Sequence, residues 1–171
     1  MKIVIIGYRG TGKSAVGTMV AQRLNFGYFC MDKIIEERAG KTINQIVKEQ
    51  GWPAFRDLEY EMAKELSLKD RIIVDTGGGI IERPENMIHL SKNACVIWLR
   101  ASVDAIVSRI QKATNRPALT QGKTFVEEVA DVLAQRTDKY QSAAHYEINT
   151  DPLTPEQTAD RVLAIWKTAD S

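Results

Sequence analysis

Residues 3–14 read Ile3-Val4-Ile5-Ile6-Gly7-Tyr8-Arg9-Gly10-Thr11-Gly12-Lys13-Ser14, an unbroken apolar run that passes directly into the pattern G-x-x-x-x-G-K-S. A continuous apolar run describes a strand covered on both faces, as in a parallel sheet. After the loop, Val16, Val20 and Leu24 recur at helical spacing. Strand, glycine loop and helix therefore follow in the order that a phosphate cradle requires. Glycines let the backbone take up unusual dihedrals and turn successive N–H groups inward at the positive end of a helix, where a β-phosphate is held. Gly10, Thr11, Gly12, Lys13, Ser14 and Ala15 are thus candidates for binding a nucleoside triphosphate, ATP in the first instance. Lys13 supplies a mobile point charge for the β/γ-phosphates and Ser14 a hydroxyl for Mg²⁺. The bland alternative is a glycine-rich turn with an exposed lysine.

Outward from that stretch, apolar and amphipathic segments alternate. Residues 2–6, 28–31, 71–75, 94–99 and 145–149 read as strands, and 13–25, 84–91, 102–112, 124–141 and 155–168 as helices. That order predicts an α/β fold, a five-stranded parallel sheet with helices on both faces. Thr124 with Glu127 and Thr154 with Gln157 fit capping boxes, and Pro155 suits a first helical position. A chain of 171 residues supports one domain with a single core, so 1–171 is read as one unit. Two segments interrupt the alternation. Residues 32–66 are helical in pattern and dense in charge, which predicts an inserted helical subdomain beside the phosphate loop. Residues 112–124 lack periodicity and are rich in turn formers, which predicts a lid.

With 23 basic and 22 acidic residues the formal charge is +1, so no global field points to a nucleic-acid partner. No apolar run approaches the roughly 20 residues of a membrane span, and the N-terminus has no export pattern. These features lead to the expectation of a cytoplasmic protein, with no membrane partner and a monomer by default. Cys30 and Cys95 lie in apolar, strand-like surroundings and are expected to be buried free thiols.

Several further residues have a reading of their own. Asp32 follows an apolar strand, where it could accept a proton from a substrate hydroxyl or simply cap the next helix. Arg56 stands three residues before Glu59 on a helical stretch, fit for a solvated ion pair or for gripping a carboxylate. Gly77-Gly78-Gly79 directly follow Ile72-Ile73-Val74-Asp75, either as a flexible turn or as a place where a ligand approaches the backbone. Asp75 itself ends the strand as a Walker B aspartate would, within reach of Mg²⁺, or caps the turn. Between Ala105 and Val126 there is no acidic residue, whereas Arg109, Lys112, Arg116 and Lys123 all fall there, an excess of positive charge suited to a lid over a triphosphate.

Taken in order, these residues resemble the shikimate kinases, small P-loop enzymes that phosphorylate the 3-hydroxyl of shikimate with Mg-ATP. The resemblance spans nearly the whole chain. It rests on the phosphate loop, on Asp32-Lys33-Ile34-Ile35-Glu36, on Phe55-Arg56-Asp57-Leu58-Glu59, on Gly77-Gly78-Gly79, on Arg116-Pro117, and on Arg136 followed four positions later by Tyr140. It implies a three-layer P-loop kinase fold with a helical substrate-binding insertion and a lid. It implies catalysis by Lys13, Asp32 and Arg116, ATP contacts from Arg109 and Arg116, and a substrate site made of Asp32, Arg56, Gly77, Gly78, Gly79 and Arg136. One departure stands out. The family commonly carries two aspartates spaced D-x-D at the end of the second strand, and here the segment reads Cys30-Met31-Asp32. A thiol is a poor ligand for so hard a cation as Mg²⁺, which leaves Ser14 and Asp75 as the metal candidates. The competing readings are a related kinase for gluconate, quinate or a nucleoside monophosphate, and a nucleotide-binding regulatory module without turnover.

Overall fold

The computed structural model describes residues 1–114 and 124–170. Arg116, Pro117 and most of the expected lid lie outside the described residues. Five strands, β1 (Lys2–Ile6), β2 (Gly27–Cys30), β3 (Ile72–Asp75), β4 (Ala94–Arg100) and β5 (Tyr146–Asn149), form one parallel sheet in the order β2-β3-β1-β4-β5. β1 therefore lies at the centre, and the chain leaves it at the point where the strand order reverses. Open α/β sheets bind their ligands in the crevice outside that point.

The predicted strands and helices are found with ends that shift by one or two residues. One shift has a consequence for the site. Met31, read as the end of a strand, instead opens helix α2 (Met31–Ala39), whose N-cap is Cys30. Asp32 is therefore inside the first turn of that helix and is not its cap. Between β2 and β3 the chain forms α2, α3 (Ile43–Gln50) and α4 (Trp52–Ser67), which together make up the helical insertion. Its second helix opens with a capping box, Thr42 and Gln45, that was not anticipated from the sequence. The boxes at Thr124 and Thr154 both form, at the starts of α7 (Phe125–Ala143) and α8 (Pro155–Ala169).

Two apolar layers enclose the sheet. Val4, Ile6, Val74, Val96 and Trp98 point toward the insertion, α5 (Pro84–Leu90) and Tyr140 of α7. Ile3, Ile5, Ile73, Cys95 and Ile97 point toward α1 (Lys13–Leu24) and α8. Every residue of β1 is buried, as a central parallel strand must be. Both cysteines are free thiols, and Cys95 is buried as expected, but Cys30, at the end of an edge strand, is only half-buried. A smaller cluster, Tyr8, Ile106, Val107 and Val129, ties the phosphate loop to α6 (Val103–Thr114) and α7. No helix among the described residues is long and apolar enough to cross a membrane.

Candidate active site

The loop between β1 and α1 is shaped by three glycines with positive φ, Gly7 at 146°, Gly10 at 81° and Gly12 at 95°. A side chain on Gly7 would run into the carbonyl oxygen of Leu99. Gly12 is the N-cap of α1 in a left-handed conformation, which glycine adopts at least cost. Lys13 is buried and folded back along the loop, its Nζ donating to the carbonyls of Gly7 at 2.8 Å and Tyr8 at 3.1 Å. Burial holds its ammonium group below the ordinary lysine value, with Asp75 and Asp32 opposing that shift. A triphosphate offers this charge a stronger partner than two carbonyls.

A cleft of about 290 Å³ opens above the loop, with Lys13, Ser14, Cys30, Asp32, Asp75 and Gly77 among its lining. Asp75 is 2 % exposed. Its Oδ2 accepts from Ser14 Oγ at 2.6 Å and from Tyr28 Oη at 2.7 Å, so it binds other side chains and does not cap the glycine turn. Burial, and then the bond to Asp75, push the Tyr28 phenol well above its ordinary pKa. Among the described residues no group of three or more His, Cys, Asp or Glu side chains could enclose a metal ion. Ser14 and Asp75 nevertheless offer oxygen donors beside the phosphate cradle, the small protein contribution that Mg²⁺ usually takes when phosphates supply the rest.

The three glycines after β3 face four charged side chains. A Cβ on Gly77 would lie 2.6 Å from Asp32 Oδ1 and 3.1 Å from Glu59 Oε1, and one on Gly78 would lie 3.5 Å from Arg136 Nη1. One on Gly79 would overlap the guanidinium of Arg56. Asp32 from α2, Arg56 and Glu59 from α4, and Arg136 from α7 therefore converge on one glycine ribbon. Asp32 Oδ1 and Glu59 Oε1 are buried without a hydrogen-bond partner. Burial raises both carboxyl groups above their usual range, opposed chiefly by Lys13 for Asp32 and by Arg56 for Glu59. Buried polar atoms are nearly always paired, so acceptors left open here call for a donor from outside the chain.

Arg56 and Glu59 form an ion pair, but not a solvated one, since their side chains are 14 % and 1 % exposed. The guanidinium is further flanked by the rings of Trp52 and Phe55, with centroids at 5.2 and 5.4 Å. Arg136 is fixed from behind, its Nε donating to Glu82 Oε1 at 2.8 Å, while Lys139 holds the other oxygen of Glu82 at 2.8 Å. Tyr140 donates its hydroxyl to the Gly78 carbonyl and stacks on Trp98, tying the ribbon to α7. Both arginines thus have a carboxylate at one edge of the guanidinium.

A second cleft, of about 320 Å³, lies on the other side of the loop between Gly10, Thr11, Arg109, Thr150, Leu153 and Pro155. Arg109 spans it by donating to Gly10 O at 3.3 Å, to Thr150 Oγ1 at 3.0 Å and to Thr150 O at 3.1 Å. Its flat guanidinium beside Leu153 and Pro155 suits a planar base at the end of a nucleotide whose phosphates enter the loop.

Apart from Arg116, which lies outside the described residues, the candidates gather around the phosphate loop and the glycine ribbon, with Arg109 in the second cleft on the other side of the loop. Sequence reasoning missed Tyr28, Glu82 and Thr150. The alternation of β2 places Tyr28 on the same face as Cys30, but its reach to Asp75 depends on the β2–β3 register, which one sequence does not disclose. Glu82 and Thr150 sit in short connections that carry no periodic signal.

Comparison with known proteins adds the following. The shikimate kinase family model matches residues 9–167. The chain is similar to the shikimate kinase of Thermodesulfovibrio yellowstonii, with 40% identity over 161 residues covering 94% of this chain and 92% of that protein. Shikimate kinase 2 of Photorhabdus laumondii is 38% identical over 166 residues, covering 95% and 94%. The structure resembles that of the Acinetobacter baumannii shikimate kinase in complex with shikimate, at a TM-score of 0.89 and 29% identity over 98% of this chain and 93% of that one.

Proposed function

The chain belongs to the shikimate kinase family, and we propose that it transfers the γ-phosphoryl group of ATP to the 3-hydroxyl of shikimate by means of the crevice described above. The observation that carries this reading is the convergence of Asp32, Arg56 and Arg136 on Gly77–Gly79 at the mouth of the phosphate loop. The acceptor is a small carboxylate held between Arg56 and Arg136, whose planar forks match its two oxygens. Without side chains, the glycine ribbon lets the cyclohexene ring lie against the backbone. Its hydroxyl then donates to the open Oδ1 of Asp32. As the hydroxyl oxygen bonds to the γ-phosphorus, its proton passes to Asp32 and the bond to the β-phosphate oxygen breaks, releasing ADP. Lys13 leaves the loop carbonyls to neutralise charge on the transferring group, assisted by Arg116 from the lid.

Ser14 and Asp75, together with the phosphates, would hold Mg²⁺, which would supply charge neutralisation on the transferring group. In this reading Asp75 does what the first aspartate of the family's D-x-D pair does elsewhere, since Cys30 cannot. Residues 32–66 serve as the acceptor-binding insertion and 112–124 as the lid of a single catalytic domain, working as a cytoplasmic monomer.

The test is ADP release measured with shikimate, quinate, gluconate and nucleoside monophosphates in parallel. Shikimate is expected to give the highest kcat/KM. Faster turnover of any other acceptor overturns the assignment of substrate.

A further inference from the structure

β2 and β3 are paired so that Cys30 lies directly opposite Asp75, and Tyr28 opposite Ile73. Side chains two residues apart share a face, so Tyr28, Cys30 and Asp75 all project from the α1 side of the sheet. Tyr28 reaches Asp75 along the diagonal, a distance that an aromatic side chain can bridge. Two small residues make that reach possible. Cys30, opposite Asp75, leaves the space above it open, and Gly17 of α1 lets the phenol ring lie on the helix backbone, since a Cβ there would come within 2.9 Å of Tyr28 Cε2. A carboxylate at position 30 would instead face Asp75 across the ladder, a destabilising like-charge pair.

We propose that Tyr28 is a positioning residue for the cation site, holding Asp75 in the orientation that a Mg²⁺–nucleotide complex requires. This rests on the reading of Ser14 and Asp75 as the residues that hold the cation. Both hydroxyls donate to the same oxygen, Asp75 Oδ2, at 2.6 Å from Ser14 and 2.7 Å from Tyr28. Ser14 uses its only proton in that bond, so its lone pairs are the atoms free to face a cation. Bonded to Ser14 alone, the carboxylate could turn about its side-chain torsions whenever the serine shifts. The phenol comes from another strand, has two side-chain torsions, and is wedged against Gly17, so it fixes the carboxylate independently of the loop. Cys30, Tyr28 and Asp75 form one set: the short thiol makes room, the phenol orients, and the carboxylate acts on the cation's water shell. Partners of this kind, one step removed from a metal, commonly change metal affinity about 10-fold or more when they are lost.

The experiment is calorimetric titration of ADP into the full-length protein at a series of Mg²⁺ concentrations, for the parent, Tyr28→Phe, Asp75→Asn and the double variant. Tyr28→Phe keeps the ring on Gly17 and removes only the donor. It is expected to raise the Mg²⁺ concentration for half-maximal tightening of ADP about 10-fold, to leave metal-free ADP affinity unchanged, and to add nothing in the Asp75→Asn background. If Asp75→Asn shifts the titration and Tyr28→Phe does not, the role of Tyr28 is overturned while that of Asp75 stands. If neither shifts it, both roles fall, and the acceptor profile still decides the kinase reading separately. A loss of metal-free ADP affinity in Tyr28→Phe, or additive effects in the double variant, shows that the phenol acts through general packing and also overturns the proposal.

Discussion

Asp32 combines two properties that conflict at the level of a single residue. Its Oδ1 is buried and open, which suits a proton acceptor, yet the same burial raises its carboxyl pKa. A pKa above the unfolded value means that this group favours folding below the unfolded pKa and loses that contribution as pH rises through the folded one. Where Asp32 is ionised, its charge is therefore a cost to the fold. Asp32→Asn is expected to lower kcat about 10²-fold or more and to stabilise the protein by about 1 kcal/mol at pH 7.5, a rise in Tm of about 3 °C for a domain of this size. At about pH 3.5, below the ordinary aspartate value, the parent is protonated as well and the gain should vanish. Thermal melts of the two proteins at both pH values check this. Equal melting temperatures at pH 7.5 would show that the carboxylate is better paired than its geometry indicates. The sequence placed Asp32 near the crevice but left it as either a cap or a base. That question turned on one residue, because the helix begins at Met31 and the cap is Cys30.

Among elements, the glycine ribbon after β3 would control the proposed acceptor site, because Gly77, Gly78 and Gly79 leave space for charged side chains from three helices. A side chain placed on Gly79 would push the Arg56 guanidinium away from its place beside Glu59, Trp52 and Phe55. Gly79→Ala is thus expected to raise the KM for shikimate about 10-fold, the scale of a small misplacement of a binding group, while the KM for ATP stays as in the parent. Steady-state kinetics with each substrate varied in turn measures this, and an equal rise in both values would point to distortion of the whole crevice. A run of three glycines after an apolar strand signals close approach even in one sequence. What approaches was not legible there, since the charged side chains come from three helices, α2, α4 and α7, separated by 24 positions between Asp32 and Arg56 and 80 between Arg56 and Arg136. The phosphate loop was legible in full because its residues are contiguous and its geometry is local. Tyr28 escaped notice because its role depends on strand register, a long-range property.

In the molecule as a whole, the apolar runs of β1, β3 and β4 gave away a parallel sheet, since strands buried on both faces admit no polar alternation, whereas the edge strands β2 and β5 are only partly buried. The spatial order of the strands, with β1 between β3 and β4, depends on how each crossover returns to the sheet and emerged only from the structure. That order gathers the parts of the site, because the carboxyl ends of β1, β2 and β3 lie side by side. The phosphate loop, Asp32 with Asp75, and the glycine ribbon then share one crevice, and α7 supplies Arg136 to close it. In the proposed function this crevice phosphorylates a small acid that it grips by its carboxylate. The most direct measurement compares kcat/KM for shikimate with that for its methyl ester, with product mass recorded alongside ADP release. The ester keeps the hydroxyls and loses the charge that faces Arg56 and Arg136. Each charge-assisted contact contributes about 1.5–3 kcal/mol, so shikimate is expected to gain one phosphate per ADP and the ester to react about 10²-fold or more less efficiently. Equal turnover of acid and ester, or ADP release without phosphorylated product, would contradict it.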